Sequence, residues 1–147
     1  MSTLVHRIEN YATIDIKKYD SLYEYIHIII LKNKVITSIV WEKFKQNLLL
    51  ALRYFKEHQK PFGFIFNLRQ FELLSIVKIK EIVQILEDHS ELLEGQLIAT
   101  GIIIKNKVII NSLFNIVKRF YKTKKPLTFV ENIDKAHLFI KSNHKID

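Results

Sequence analysis

The chain of 147 residues contains no cysteine, and that absence removes disulfides, thiolate zinc sites and thiol catalysis together. Cysteine-free composition is compatible with a reducing compartment, so a cytoplasmic location is the expectation. Glycine is scarce: Gly63, Gly95 and Gly101 stand alone, and neither a dinucleotide fingerprint nor a phosphate-cradling loop can be assembled from isolated glycines. No Gly-x-Ser-x-Gly stretch exists to present a serine nucleophile. The two prolines, Pro61 and Pro126, fall where helical patterns stop. Long apolar runs are missing as well. The most hydrophobic windows, around Ile28 to Leu31 and Ile102 to Ile104, meet lysine well short of the ~20 apolar residues of a membrane span. The N-terminal residues lack the apolar core of a signal peptide. Between Gly101 and Lys125 there is no acid at all.

The six histidines show no i, i+4 pairing and no carboxylate at metal-ligand spacing, so structural or surface roles are expected of them and no metal is implied. Glu87, Asp88, Glu91 and Glu94 cluster, but their pattern fits a solvated helix end better than an acid and base held at different pKa values. No catalytic set and no cofactor follow from these residues, which argues against an enzyme.

What is present is a regular alternation of strands and helices. At this length one domain is the simplest reading, burying about 70% of the surface of the unfolded chain. Residues 1 to 10 show no period and read as a lead-in. Ala12, Ile14 and Ile16 alternate with polar neighbours as in a half-buried strand. Lys17 to Ser21 reads as a turn, and Leu22 to Leu31 as a second, antiparallel strand. Thr37 or Ser38 can cap a helix whose stripe is Trp41, Phe44, Leu48, Ala51, Leu52 and Phe55, ending before Pro61. Phe62 to Leu68 (FGFIFNL) has the continuous apolar character of a central strand covered on both faces.

Ser75 can cap the next helix, with Ile76, Ile79, Ile82, Val83 and Leu86 facing inward. For His89 to Gly95 two readings stand: a short helix capped by Ser90, or a continuation that ends at Gly95. Leu97 to Ile104 is a buried strand, and Ile109, Leu113, Phe114, Ile116, Val117 and Phe120 then recur near helical spacing. Leu127 to Val130 is the last strand, and Asn132 can cap a terminal helix presenting Ile133, Ala136, Phe139 and Ile140. The implied fold is a single α/β domain with its core over residues 11 to 140. Its sheet is mixed, mostly parallel and five-stranded, with the first strand as an antiparallel edge and about four helices around it.

Several of these stretches resemble the STAS fold, the family of bacterial anti-sigma-factor antagonists and SpoIIAA-like domains. They are YIHIIILKNKVITSIVWEKF, FGFIFNL, TGIIIKNKVIINSLFNIVKRFYK and the ending PLTFVENIDKAHLFI, together spanning most of the chain from Tyr11 to Ile140. The resemblance implies a regulatory or binding module rather than an enzyme. Antagonist members carry an Asp-Ser-Ser-Gly-Leu-like phosphorylation motif at the start of the helix after the central strand. Here that region reads Phe71-Glu72-Leu73-Leu74-Ser75-Ile76-Val77, so the phospho-switch is not carried over and the SpoIIAA-like branch is the better comparison.

Two features point to surfaces. The near-repeat IIILKNKVITS (28–38) and IIIKNKVIINS (102–112) places Lys-Asn-Lys between a strand and a helix, at the sheet edge where open α/β sheets bind ligands. Loops after the two central strands then give a candidate partner surface of Asn67, Arg69, Gln70 and Phe71 with Lys105, Asn106 and Lys107. The second feature is a basic patch, Lys118, Arg119, Lys122, Lys124 and Lys125, with Tyr121 as the aromatic beside it. A formal charge of +8 invites nucleic acid, although lysine is scattered over every element. Three kinds of partner follow: a protein or a second copy of the chain, a lipid or other apolar molecule held between sheet and helices, and a nucleic acid or anionic surface.

Overall fold

A computed structural model describes residues 4–8, 11–31, 37–70 and 75–144, with backbone alone for 4–7. The chain runs β1 (Leu4–Ile8), β2 (Ala12–Tyr19), β3 (Tyr23–Ile30), α1 (Ser38–His58), β4 (Phe62–Asn67), α2 (Ile76–Asp88), α3 (Ser90–Gln96), β5 (Leu97–Ile103), α4 (Lys107–Phe120), β6 (Leu127–Val130) and α5 (Ile133–Asn143). All six strands form one sheet in chain order. β1, β2 and β3 pair antiparallel, whereas β3 to β6 are joined by parallel pairs. The fold is therefore α/β, with a mixed and mostly parallel sheet.

Strands laid down in chain order fix where the helices go. Right-handed crossovers that always step the same way leave their helices on one side of the sheet. On that side Ile14, Ile16, Ile26, Ile28, Phe62 and Phe64 meet the α1 stripe of Phe44, Leu48, Leu52 and Phe55 in one core. The rings fill the layer by stacking: Phe55 lies on Phe62 with centroids 4.4 Å apart. α4 packs the same face further along, where Ile109 and Leu113 join Ile104, Ile79 and Phe129. The opposite face is closed by α5, whose Ala136 and Ile140 sit on Ile65, Ala99 and Ile103.

Two glycines make that second closure possible. A Cβ at Gly63 would lie 3.0 Å from side-chain atoms of Ile140, and one at Gly101 would lie 2.9 Å from the Ala136 Cβ and 3.3 Å from its Cα. Two of the three glycines thus stand where α5 touches the sheet.

The sheet departs from the sequence reading in three places. Residues 4–8, expected as a lead-in, zip onto β2 with Leu4 opposite Ile16 and Ile8 opposite Ala12. Among the described residues the sheet consequently has six strands rather than five, and β2 is no longer its edge. This strand is recruited by the free backbone groups of β2, a force that leaves no period in side chains. Next, the expected turn at Lys17 to Ser21 is mostly strand, since Lys17 pairs with Tyr25 and Lys18 with Glu24. Only a tight reversal remains, with Asp20 at φ 50° and the Leu22 N–H donating to the Tyr19 carbonyl at 3.0 Å. Cross-strand pairing of lysine with tyrosine and glutamate sustains the ladder there. Finally, the two readings of His89 to Gly95 resolve into a separate helix, so the helices among the described residues number five.

Candidate interaction surface

Parallel strands end on a common edge, and the helices that follow them begin there. Each start is held by its own cap: the Thr37 hydroxyl accepts from the Val40 N–H at 3.2 Å, Ser75 from Lys78 at 3.4 Å, Asn106 from Val108 at 2.9 Å and Asn132 from Lys135 at 2.9 Å. α2 packs against α4, and side chains near their starts join α1 to α2. The Trp41 indole N–H and the Lys45 ammonium each donate to Glu81 at 3.0 Å, and the Lys78 ammonium lies 5.6 Å from the centre of the Trp41 ring. On the other flank of α2, Ile79 packs against the cluster that holds Ile109 and Leu113 of α4.

The structure brings together most of the residues expected at this edge. Asn67 and Ile103 are register partners, and the Leu68 N–H donates to the Ile103 carbonyl at 2.8 Å, drawing the loop after β4 onto the end of β5. Asn67 Oδ1 accepts from the Arg69 N–H at 3.2 Å and shapes the turn that leaves Arg69 and Gln70 exposed. Lys105, Asn106 and Lys107 are exposed beside them, Asn106 in the second role of helix cap. Phe71 lies outside the described residues, as do Lys32, Asn33 and Lys34 of the first near-repeat.

Sequence reasoning missed the apolar part of this edge. Ile39, Val77 and Val108 each come two residues after a cap and are 67%, 71% and 74% exposed, with Ile76 beside them at 50%. Ile76, expected to face inward, is a correction: the buried side of α2 is Val83 and Leu86, and its first turn carries Ile76 away from that seam. Phe114, expected on the apolar stripe of α4, is likewise 51% exposed, because the seam there is Ile109, Leu113 and Ile116. The signal available in sequence was an aliphatic residue two places after each cap, off the buried stripe.

The basic patch is at the other end of the molecule. Over its 14 residues α4 carries the chain about 20 Å from the carboxyl edge, so Lys118 and Arg119 sit far from Lys107. Lys118, Arg119, Lys122 and Lys124 are exposed and Lys125 is half-buried. The segment is docked on the acids of α2 and α3. Glu87 accepts from the Thr123 N–H at 3.2 Å and its hydroxyl at 3.0 Å, and Glu94 accepts from the Lys124 N–H at 3.0 Å. Two acids of the cluster, Glu87 and Glu94, thus anchor this loop. Tyr121 packs against the main core, and burial pushes its hydroxyl up to about 12. Tyr121, the aromatic expected beside these bases, is thus turned inward, whereas Phe120 is 37% exposed with the Arg119 guanidinium 5.7 Å and the Lys80 ammonium 4.6 Å from its ring centre.

A cluster of rings that sequence reasoning did not single out lies between β2, β3 and α5. Tyr19 stacks on His137 with centroids 4.0 Å apart, and the Tyr23 hydroxyl is 2.7 Å from His137 Nδ1. Burial pushes the Tyr23 and Tyr25 hydroxyls up and the His137 imidazole down. His27, opposite Asp15 in register, is only 7% exposed, and burial, with Lys17 and His137 adding to it, lowers its imidazole to about 4. At neutral pH Tyr23, Tyr25, His27 and His137 are thereby held uncharged, which suits packing better than proton transfer.

Among the described residues no group of three or more histidines and carboxylates is placed to hold a metal, and no helix is long and apolar enough to cross a membrane. No family model, curated protein or solved structure matches the chain.

Proposed function

We propose that this chain is a non-enzymatic binding module of the STAS or SpoIIAA-like kind, working in the cytoplasm by capturing a protein partner at the carboxyl edge of its sheet. One observation carries this reading: three helix starts each expose an aliphatic side chain, Ile39, Val77 and Val108, on the edge that also exposes Arg69, Lys105 and Lys107. Exposed apolar side chains are ordinary when scattered, but equivalent positions on neighbouring helices form a patch, and patches of that kind mark interaction sites. The occupation of the sheet–helix layer by phenylalanines gives less support to a carrier of apolar molecules, and the docking of the basic segment on Glu87 and Glu94 gives less support to a nucleic-acid face.

The test is substitution at the edge, with Arg69→Glu combined with Val108→Asp. Both residues are exposed, so stability should move by no more than about 0.5 kcal/mol. Capture of a binding protein from cell extract should fall at least about tenfold, the loss expected when one good contact of 1.4 kcal/mol is removed. Unchanged capture by a variant of normal stability overturns the reading.

A further inference from the structure

Several bases of the molecule are matched by acids. Lys45 bridges Glu42 and Glu81, Lys60 lies 3.4 Å from Glu24, and Lys135 reaches Glu131 at 3.2 Å. The bases at the end of α4 are not. Among the described residues Lys118, Arg119, Lys122 and Lys124 are all exposed and enter no ion pair. Glu87 and Glu94 hold their segment through the Thr123 and Lys124 N–H groups, so its side-chain bases are left unmatched while the segment itself is pinned down. From Gly101 to Lys125 the chain supplies no acid of its own.

Helix geometry adds an apolar group to this face. Ile109, Leu113 and Ile116 turn one side of α4 to the core. Asn111, Phe114, Asn115 and Lys118, at i, i+3, i+4 and i+7, share the opposite side, and all four are exposed. Phe114 is 51% exposed and stands one turn before Lys118. A phenylalanine held outward among unmatched bases meets both its needs at one kind of surface, where anionic headgroups take the bases and the acyl boundary takes the ring. A single-stranded nucleic acid stacks successive bases on successive rings, and here Phe114 stands alone. Tyr121 packs against the main core, and the Lys80 ammonium lies 4.6 Å from the centre of the Phe120 ring. A duplex is bound through its phosphates and has no use for the exposed ring. We infer that the outer face of α4 and the segment after it rest on a bilayer containing anionic phospholipid, with Phe114 entering at the headgroup level. This face shares no residue with the carboxyl edge, so the two surfaces stand or fall separately.

The test is sedimentation of the full chain with vesicles of phosphatidylcholine, with and without phosphatidylserine as about a third of the lipid. Binding to the anionic vesicles is expected, at least about tenfold stronger than to phosphatidylcholine alone. Each base near a charged bilayer contributes about fivefold, so Lys118→Gln with Arg119→Gln should weaken binding at least about tenfold. Added salt should weaken it further. Phe114→Gln should weaken it at least about fivefold, the share of a ring that is half exposed beforehand. All three positions are exposed, so these variants should unfold at the wild-type temperature. As a gain of signal, Phe114→Trp should give a blue-shifted emission on anionic vesicles that the buried Trp41 does not give in the wild type. No sedimentation, equal binding with and without phosphatidylserine, or a folded Phe114→Gln variant that binds as the wild type does, overturns the inference. Binding of a nucleic-acid duplex in place of vesicles overturns it as well and assigns the bases to that polyanion.

Discussion

At the scale of single residues, His27 is a side chain whose burial is costly. Its imidazole is buried on the second sheet face among Thr13, Asp15 and Lys17 of β2, Tyr25 of β3, Ile65 of β4 and His137 of α5, and neither ring nitrogen has a hydrogen-bond partner. Burial lowers its folded-state value to about 4 from the ordinary 6.5, so between those two pH values the unfolded chain binds the extra proton. The contribution is complete above the ordinary value and is lost as pH falls through the folded one. His27 should thus cost up to about 3 kcal/mol of stability on acidification, fading over roughly pH 6.5 to 4. His27→Leu removes both the proton and the unpartnered nitrogens, and replacing such a group by an apolar one of similar size is close to neutral or stabilising. Denaturant unfolding at several pH values should show the variant gaining on the wild type as pH drops through this window. A constant difference between the two proteins would show that His27 does not titrate as its burial implies.

At the scale of elements, the closure of α5 over the sheet depends on Gly101 and Gly63. Gly101→Ala places a methyl 2.9 Å from the Ala136 Cβ, closer than unstrained carbons approach, so α5 must lift or β5 must shift. Overpacking of this kind costs about 1–3 kcal/mol. Ala136→Gly in the same chain removes the nearest clashing carbon and should restore part of the loss in thermal unfolding; a double variant no more stable than Gly101→Ala would locate the strain elsewhere. Elements held by side-chain chemistry were legible in the sequence. The helix caps Thr37, Ser75 and Asn132 and the stripe from Trp41 to Phe55 could all be read directly, because capping and period are local. β1 was not, since it is held by backbone pairing with β2. Nor was the ring cluster around His137, because Tyr19, Tyr23 and Tyr25 meet α5 only after the chain has crossed the whole sheet. Of the candidate edge, the polar residues Asn67, Arg69, Lys105 and Asn106 were legible from their positions after strands. The aliphatic row was not, because a residue two places after a cap is exposed only if the helix start overhangs the core.

At the scale of the whole molecule, sequential strand order divides the labour. Helices α1, α2 and α4 line one face, α5 closes the other, and the parallel strands deliver their connecting loops to a single edge. The far edge is tied down: Glu87 and Glu94 hold the basic segment after α4, and Gln96 Nε2 donates to the carbonyls of Phe55 at 2.7 Å and Lys60 at 2.8 Å. A surface whose loops are anchored internally is poorly suited to a partner, and an edge presenting unpaired aliphatics and bases is better suited to one. The direct measurement is photocrosslinking in cells from a benzophenone side chain placed at Gln70 or Val108, compared with the same label at Lys56 or Lys124 on the far edge. The account predicts a discrete crosslinked protein from Gln70 and Val108 and none from Lys56 and Lys124; a crosslinked species from the far edge alone would contradict it.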